Sequence, residues 1–425
     1  MWGWWSIVWG RGAGPTGQSR TGRAASSRGS HPKVRGAVPR PRRASAGGEE
    51  EARVRITFHG AARQVTGSAH LVEIGDRKVL LDCGLFDSDR TSPDSANRRF
   101  TFDPRELDAV IVSHAHNDHI GRLPLLMRHG FEGPIYITPA TADITGIMLR
   151  DSARIQREEA RGNTSFPDGT LPHEPLFELH DVEFVIDRFQ RIGYDTPTEI
   201  GDGIHLTYHD AGHILGSALV QLDFREDGRD RRFLFTGDLG RRDMGLLPSP
   251  KTVQDIDVLV CESTYGNKEL DPYHRLLKQL HAIVARATRL KSRIIIPAFS
   301  LGRTQRMVHC LLELFNVHHV EPVPVFVDSP LATRLTQVHR EYPEAYTKAA
   351  RRVMDRESDL FRSDWVNYCV NWEDSRRLNS MPGPIVIIAS SGMCDAGRVR
   401  HHLRHSLENP DNAIVIVSYQ AEGTL

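Results

Sequence analysis

Three histidines and an aspartate fall within six positions in Ser113-His114-Ala115-His116-Asn117-Asp118-His119. Imidazole nitrogens and carboxylate oxygens are good donors for zinc and similar divalent ions. The cluster follows Ala109-Val110-Ile111-Val112, an apolar run with the character of a buried strand. So many polar groups at one strand end are hard to satisfy by packing, because buried imidazoles need partners. The pattern favours metal chemistry at a strand-to-loop turn over a solvated polar loop.

The same arrangement recurs downstream. Ile204-His205-Leu206-Thr207-Tyr208-His209-Asp210-Ala211-Gly212-His213 runs from apolar strand into a histidine. Phe233-Leu234-Phe235-Thr236-Gly237-Asp238 ends on a carboxylate, and Val258-Leu259-Val260-Cys261-Glu262 on another. Loops at strand ends are where layered α/β proteins gather their ligand sites. Each residue alone is weak, but three such ends after the His-x-His-x-Asp-His run reinforce one another. Lys78-Val79-Leu80-Leu81-Asp82 is a further strand, and Asp82 is as much a turn candidate as a support for a metal ligand.

The elements that must carry these residues change character along the chain. From Val54 to Gly266, short strands dominate, with helical spacing over residues 123–130 and 141–161 and Pro-rich polar sequence from there to about 199. From Asn267 onward helix and strand alternate. Strands are expected at 293–300, 323–327, 384–389 and 413–417, and helices at 274–290, 302–315, 330–360 and 397–406. Such βαβ alternation implies a mostly parallel sheet covered on both faces. Its strand ends carry Ser300, Asp328-Ser329-Pro330 and Ser390-Ser391-Gly392, small polar residues that can cradle phosphate or merely cap helices.

Composition narrows the partners. Residues 1–53 hold ten Lys+Arg and three Asp+Glu, so the remainder carries 44 basic and 51 acidic residues. A mildly acidic body does not suit non-specific nucleic-acid binding; attraction must come from a local groove and from metal. The first 53 residues hold four of the six tryptophans, then a Gly/Ser/Arg/Pro tract expected to be disordered or a spurious extension. Five scattered cysteines without a Cys-x-x-Cys fit a reducing, cytoplasmic setting. No run approaches 18 apolar residues, so no membrane span is expected.

Together these residues resemble the metallo-β-lactamase superfamily, and within it the β-CASP nucleases. Asp82 matches the superfamily's first motif, His114, His116, Asp118 and His119 the second, His213 the third and Asp238 the fourth. Glu262 matches motif A of the β-CASP group, and Phe299-Ser300-Leu301-Gly302-Arg303, Asp328-Ser329-Pro330 and Ser390-Ser391-Gly392-Met393 match its inserted domain.

The resemblance implies an α/β fold: an αββα sandwich over residues 54–266 with a parallel βαβ β-CASP domain over 267–425. It implies two zinc ions, one held by His114, His116 and His213, the other by Asp118 and His119, with Asp238 bridging. The implied activity is RNA phosphodiester hydrolysis by a metal-bridged hydroxide, endonucleolytic, 5′-exonucleolytic or both. Asp118 would orient the hydroxide, Asp82 support a ligand, and Ser300, Arg303, Ser390 and Ser391 contact phosphate. The implied partner is single-stranded RNA, with a homodimer open and no membrane.

The group also supplies two later histidines, motifs B and C, and Glu262 would orient the first of them. The sequence ends at Leu425 before either, so it is expected to be C-terminally truncated, with weak or no activity in this form. Rival functions are hydrolysis of thioesters or lactones on the same core, a DNA nuclease, and a non-catalytic RNA-processing subunit.

Overall fold

The computed structural model describes residues 6–9, 54–86, 96–161, 174–357, 359–418 and 420. Of the N-terminal tract only β1 (Ser6–Trp9) is described, running antiparallel to Val258–Cys261. The expectation for the rest of residues 1–53 lies outside the described residues.

The first sheet comprises β2 (Arg55–Phe58), β3 (His70–Ile74), β4 (Arg77–Leu81), β5 (Ala109–Ile111), β6 (Ile135–Ile137) and β7 (Phe189–Arg191), in that order. The first three form an antiparallel meander, and β4 to β7 run parallel. Parallel neighbours need crossovers, which here carry α1 (Asn117–Ile120), α2 (Leu123–Arg128), α3 (Pro139–Ala160) and α4 (Leu179–Asp187). Helix α3 starts cleanly because the Thr138 hydroxyl accepts from Thr141 N and Pro139 fills the first position.

Helix α4 corrects the expectation of irregular polar sequence up to residue 199. Glu178 and Asp181 form a reciprocal capping box, and Val182 and Val185 are buried on one face. The acidic residues that looked like loop are its start signal.

The second sheet has the order β1-β12-β11-β10-β9-β8, built from β8 (Thr198–Gly201), β9 (Ile204–Asp210), β10 (Ala218–Glu226), β11 (Arg229–Phe235) and β12 (Val258–Cys261). Strands β10 and β11 form a two-residue hairpin through Asp227-Gly228, both at positive φ. The two sheets face each other across Val72, Val79, Leu81 and Ile111 on one side and Leu206, Tyr208, Val220, Leu222, Phe233 and Phe235 on the other. The outer face of the first sheet is covered by α2, α3 and α4. The outer face of the second is covered by loop residues Leu239, Val253 and Ile256.

The third sheet is wholly parallel, in the order β15-β14-β16-β13-β17. Its strands are β13 (Arg293–Pro297), β14 (Val325–Asp328), β15 (Val366–Tyr368), β16 (Ile385–Ala389) and β17 (Ala413–Ile414). Its central strands are fully apolar because both faces are covered. On one side lie α5 (Tyr273–Leu290), α6 (Arg303–Asn316), α7 (Pro330–Glu341) and α8 (Lys348–Glu357). On the other lie α9 (Trp372–Leu378) and α10 (Val399–Arg404). Helix α7 also packs on α3, where Arg334 Nη2 meets Asp151 Oδ1 at 2.9 Å and the Tyr342 hydroxyl donates to Asp143. This contact holds the parallel sheet against the sandwich, so that α6 begins beside the metal-type cluster.

Candidate metal centre

The centre assembles where the two sandwich sheets end side by side. Asp82 leaves β4 at a φ of 59° and is completely buried. Its carboxylate accepts from Ser113 N at 2.8 Å, Ser113 Oγ at 2.9 Å and Ser68 Oγ at 3.1 Å, and meets His119 Nδ1 at 2.7 Å. That contact turns the other nitrogen of His119, Nε2, toward Asp238 Oδ1 at 3.3 Å and Asp118 Oδ2 at 3.8 Å. The single turn of α1 presents Asp118 and His119 just after His116, whose carbonyl accepts from His119 N.

Asp238 arrives from the opposite sheet. Gly237 stands at φ 51°, and a Cβ there would lie 2.7 Å from the Ser113 Cβ. Only glycine lets the end of β11 approach the histidine loop so closely. His213 is placed by Ser217, whose hydroxyl accepts from His213 N and Ile214 N.

The ligand atoms of His114, His116, His213 and Asp238 all lie within 4.8 Å of one another. His116 Nδ1 faces His114 Nε2 at 3.0 Å and His213 Nε2 at 3.2 Å. Asp238 Oδ2 lies 3.7 Å from His114 Nε2 and 3.5 Å from His213 Nε2. A tetrahedral zinc with bonds of about 2.0–2.1 Å separates its ligand atoms by about 3.4 Å. The spacing therefore fits such an ion, and the donor set suits it. Asp238 turns one oxygen to these histidines and the other to His119, so one carboxylate faces two donor groups.

The electrostatics agree. Burial pushes His114 well below its ordinary pKa, lowers His116, and takes His213 to about 3, so all three rings keep free lone pairs. Burial also lowers His119, but Asp238, Asp82 and Asp118 outweigh it and hold its pKa well above the ordinary value. Burial raises Asp118. Against its own burial, Asp238 is held far below the carboxylate range, chiefly by His119. Three acidic side chains thus surround the His119 ring.

The remaining expected residues are distributed differently. Glu262 follows β12, with its backbone N–H donating to Thr236 Oγ1 and its carboxylate accepting from Thr264 N at 2.8 Å; burial raises its pKa. Ser300 and Ser390 come together, Oγ to Oγ at 2.7 Å, and both reach Ser329 Oγ, at 3.1 and 3.0 Å. Ser391 stands apart, its hydroxyl donating to Asp395. Arg303 opens α6.

Sequence reasoning gave Ser68 and Ser113 no role and read Ser329 as part of the Asp328-Ser329-Pro330 signature. Ser113 directly adjoins His114, which was a usable signal; Ser68 carried none. Beside Ser329, the buried Asp328 binds Arg398 Nη1 at 2.7 Å, His402 Nε2 at 2.6 Å and Ser375 Oγ at 2.6 Å, which fixes the end of β14.

Residues 62–298 match the metallo-beta-lactamase superfamily and residues 304–425 the Beta-Casp domain. The chain is 35% identical to the ribonuclease TTHA0252 of Thermus thermophilus over 372 residues, covering 88% of this chain and 80% of that protein. It is 32% identical to the transcription termination factor FttA of Methanocaldococcus jannaschii and 33% identical to that of Pyrococcus horikoshii. Each of these matches covers 88% of this chain, which spans 57% and 56% of the two factors' length. Among the described residues no helix is long and apolar enough to cross a membrane, and all five cysteines are unpaired.

Proposed function

The chain belongs to the metallo-beta-lactamase superfamily and carries its Beta-Casp domain, and on that premise we propose that it is a metal-dependent ribonuclease acting on single-stranded RNA. The observation that carries the reading is the two-sided presentation of Asp238 between the His114–His116–His213 group and the Asp118–His119 pair. Each group would hold one zinc ion, with Asp238 facing both. When bound, a pair of such ions acidifies a water and neutralises charge developing on the oxygens of a phosphodiester.

The chain's own residues do the rest. Asp82 fixes the orientation of His119, and Ser113 and Ser68 fix Asp82. Asp118 would accept a hydrogen bond from such a water and so set its direction. Glu262, with its raised pKa, acts as a positioning residue on the β12 side. Ser300, Ser390 and Arg303 contact substrate phosphate. Ser391 is a weaker candidate, since Asp395 engages its hydroxyl.

Residues 54–266 form the metal-binding domain in this reading and 267–425 the inserted one. The three relatives' names concern RNA-level processes, ribonuclease and transcription termination, which favours RNA over DNA. The unpaired cysteines fit a cytoplasmic setting.

The test is hydrolysis of matched single-stranded RNA and DNA oligonucleotides by zinc-loaded protein beside His116→Ala. RNA cleavage lost in the variant supports the reading. Preferential DNA cleavage, or thioester turnover without RNA cleavage, would replace it.

A further inference from the structure

Helix α5 carries four Lys or Arg residues and no Asp or Glu in its 18 residues. Leu277, Leu280, Val284 and Ala287 are buried and pack it on the third sheet. Arg275, Lys278, Ala282, Arg286 and Arg289 succeed one another at steps of three or four, so they form one stripe opposite that buried face. All five are exposed. At 1.5 Å per residue the stripe is about 21 Å long.

Little offsets these charges. Arg275 meets Asp271 Oδ1 at 2.8 Å. Arg286 donates to the backbone carbonyls of Asp411, at 2.8 Å, and Pro410, at 3.2 Å, which hold the guanidinium without cancelling its charge. Among the described residues, Lys278, Arg286 and Arg289 make no ion pair. Neighbouring like charges weaken a helix. Residues 54–425 carry 44 basic and 51 acidic side chains, so a purely cationic face is a local exception on this body.

The stripe starts beside the loop that carries Asp238. Arg241 in that loop donates from Nη2 to the Asp271 carbonyl, and a Cβ on Gly245 would lie 3.1 Å from the Tyr273 ring. The far end of α5 passes through Lys291 into the start of β13, and Ser300 follows the other end of that strand. The cations therefore lead away from the metal centre along the outside of the third sheet's helical layer.

The chemistry of the face selects its partner. An amphipathic helix holds a membrane by its apolar face, and that of α5 is already buried in the core. A protein partner is anchored by large side chains in pockets, whereas the only apolar residue within the stripe is Ala282. A chain of evenly repeated negative charge needs neither. We infer that Lys278, Arg286 and Arg289 form a track for the phosphate backbone of single-stranded RNA beyond the metal centre, so that long strands bind more tightly than the few nucleotides the centre holds. That the polyanion is RNA rests on the function proposed above; the cationic track does not.

Binding is followed on the full chain, in chelator so that no strand is cut, with polyuridylate and a uridine trinucleotide. In Lys278→Gln/Arg289→Gln the affinity for polyuridylate should fall about 10-fold at low salt, and the log–log salt slope should become shallower by about 1.4 for two lost contacts. The trinucleotide should show no difference between parent and variant. The charge-keeping Lys278→Arg/Arg289→Lys should match the parent. Polyglutamate and phosphatidylserine vesicles are the competing anions, and cleavage of polyuridylate by zinc-loaded protein is measured separately.

Equal polyuridylate affinity and salt slope in parent and Gln variant overturn the track. Tighter stripe-dependent binding of polyglutamate or vesicles than of polyuridylate overturns its RNA occupant. A loss shared by the trinucleotide overturns its place outside the centre. Polyuridylate binding that needs the stripe, with no zinc-dependent cleavage by the parent, keeps the track and overturns the ribonuclease reading. Zinc-dependent cleavage with no loss of binding in the Gln variant does the reverse.

Discussion

His119 Nδ1 and Asp82 Oδ2 lie 2.7 Å apart in a wholly buried contact between α1 and the end of β4. Asp82 spends its remaining acceptor capacity on Ser113 and Ser68, so the carboxylate cannot turn away. The direction of His119 Nε2, and with it one side of the metal centre, depends on this one contact.

Asp82→Asn keeps the shape but places an amide where His119 finds a carboxylate. Zinc affinity should fall 10–100-fold, as for other partners that orient a metal-bound histidine. Isothermal titration with zinc checks this. Unchanged affinity would mean that Asp82 only shapes the turn.

Metal should stabilise the fold, because Asp82, Asp118 and Asp238 crowd around the single His119 ring without it. At zinc a hundredfold above its dissociation constant the gain is about 2.7 kcal/mol for one site. Asp238→Ala should lose most of that zinc-dependent rise in melting temperature, since both donor groups share Asp238. A full zinc response in Asp238→Ala would contradict the shared assignment.

Gly237→Ala should be more damaging than an ordinary loop substitution. It combines a positive φ with a Cβ 2.7 Å from Ser113 Cβ. A loss of about 2–4 kcal/mol is expected, with zinc content falling alongside as Asp238 is pushed back. Chemical denaturation and metal analysis of the purified variant check both parts.

His339 should contribute to acid lability. The Tyr346 hydroxyl donates to the His339 carbonyl, so its oxygen accepts from Nδ1–H, and the buried Nε2 has no partner. Burial depresses its pKa to about 3, against 6.5 when unfolded. The unfolded chain therefore binds the extra proton first, and stability present above pH 6.5 is lost as pH falls toward 3. His339→Leu should lose less stability between pH 7.5 and pH 5 than the parent. An identical pH dependence in urea unfolding would show that this ring is not the cause.

Much of this arrangement was legible in the residues. His114, His116, His213 and Asp238 stood out because each lies within a few residues of the end of an apolar strand. The third sheet was legible because Ile294-Ile295-Ile296 and Ile385-Val386-Ile387-Ile388 are continuous buried runs. What stayed hidden depends on distant pairing. Helix α4 hid behind its own acidic capping box. Ser390 and Ser391 looked equivalent, yet only Ser390 joins Ser300, because the chain turns Ser391 toward Asp395.

The most direct test is cleavage of an end-labelled single-stranded RNA by zinc-loaded protein, in the longest natural form that carries this sequence, beside Asp238→Ala and a chelator-treated sample. Defined products that need zinc and disappear in Asp238→Ala are the predicted result. Products that persist in Asp238→Ala, or zinc-loaded protein that leaves the RNA intact, would contradict it.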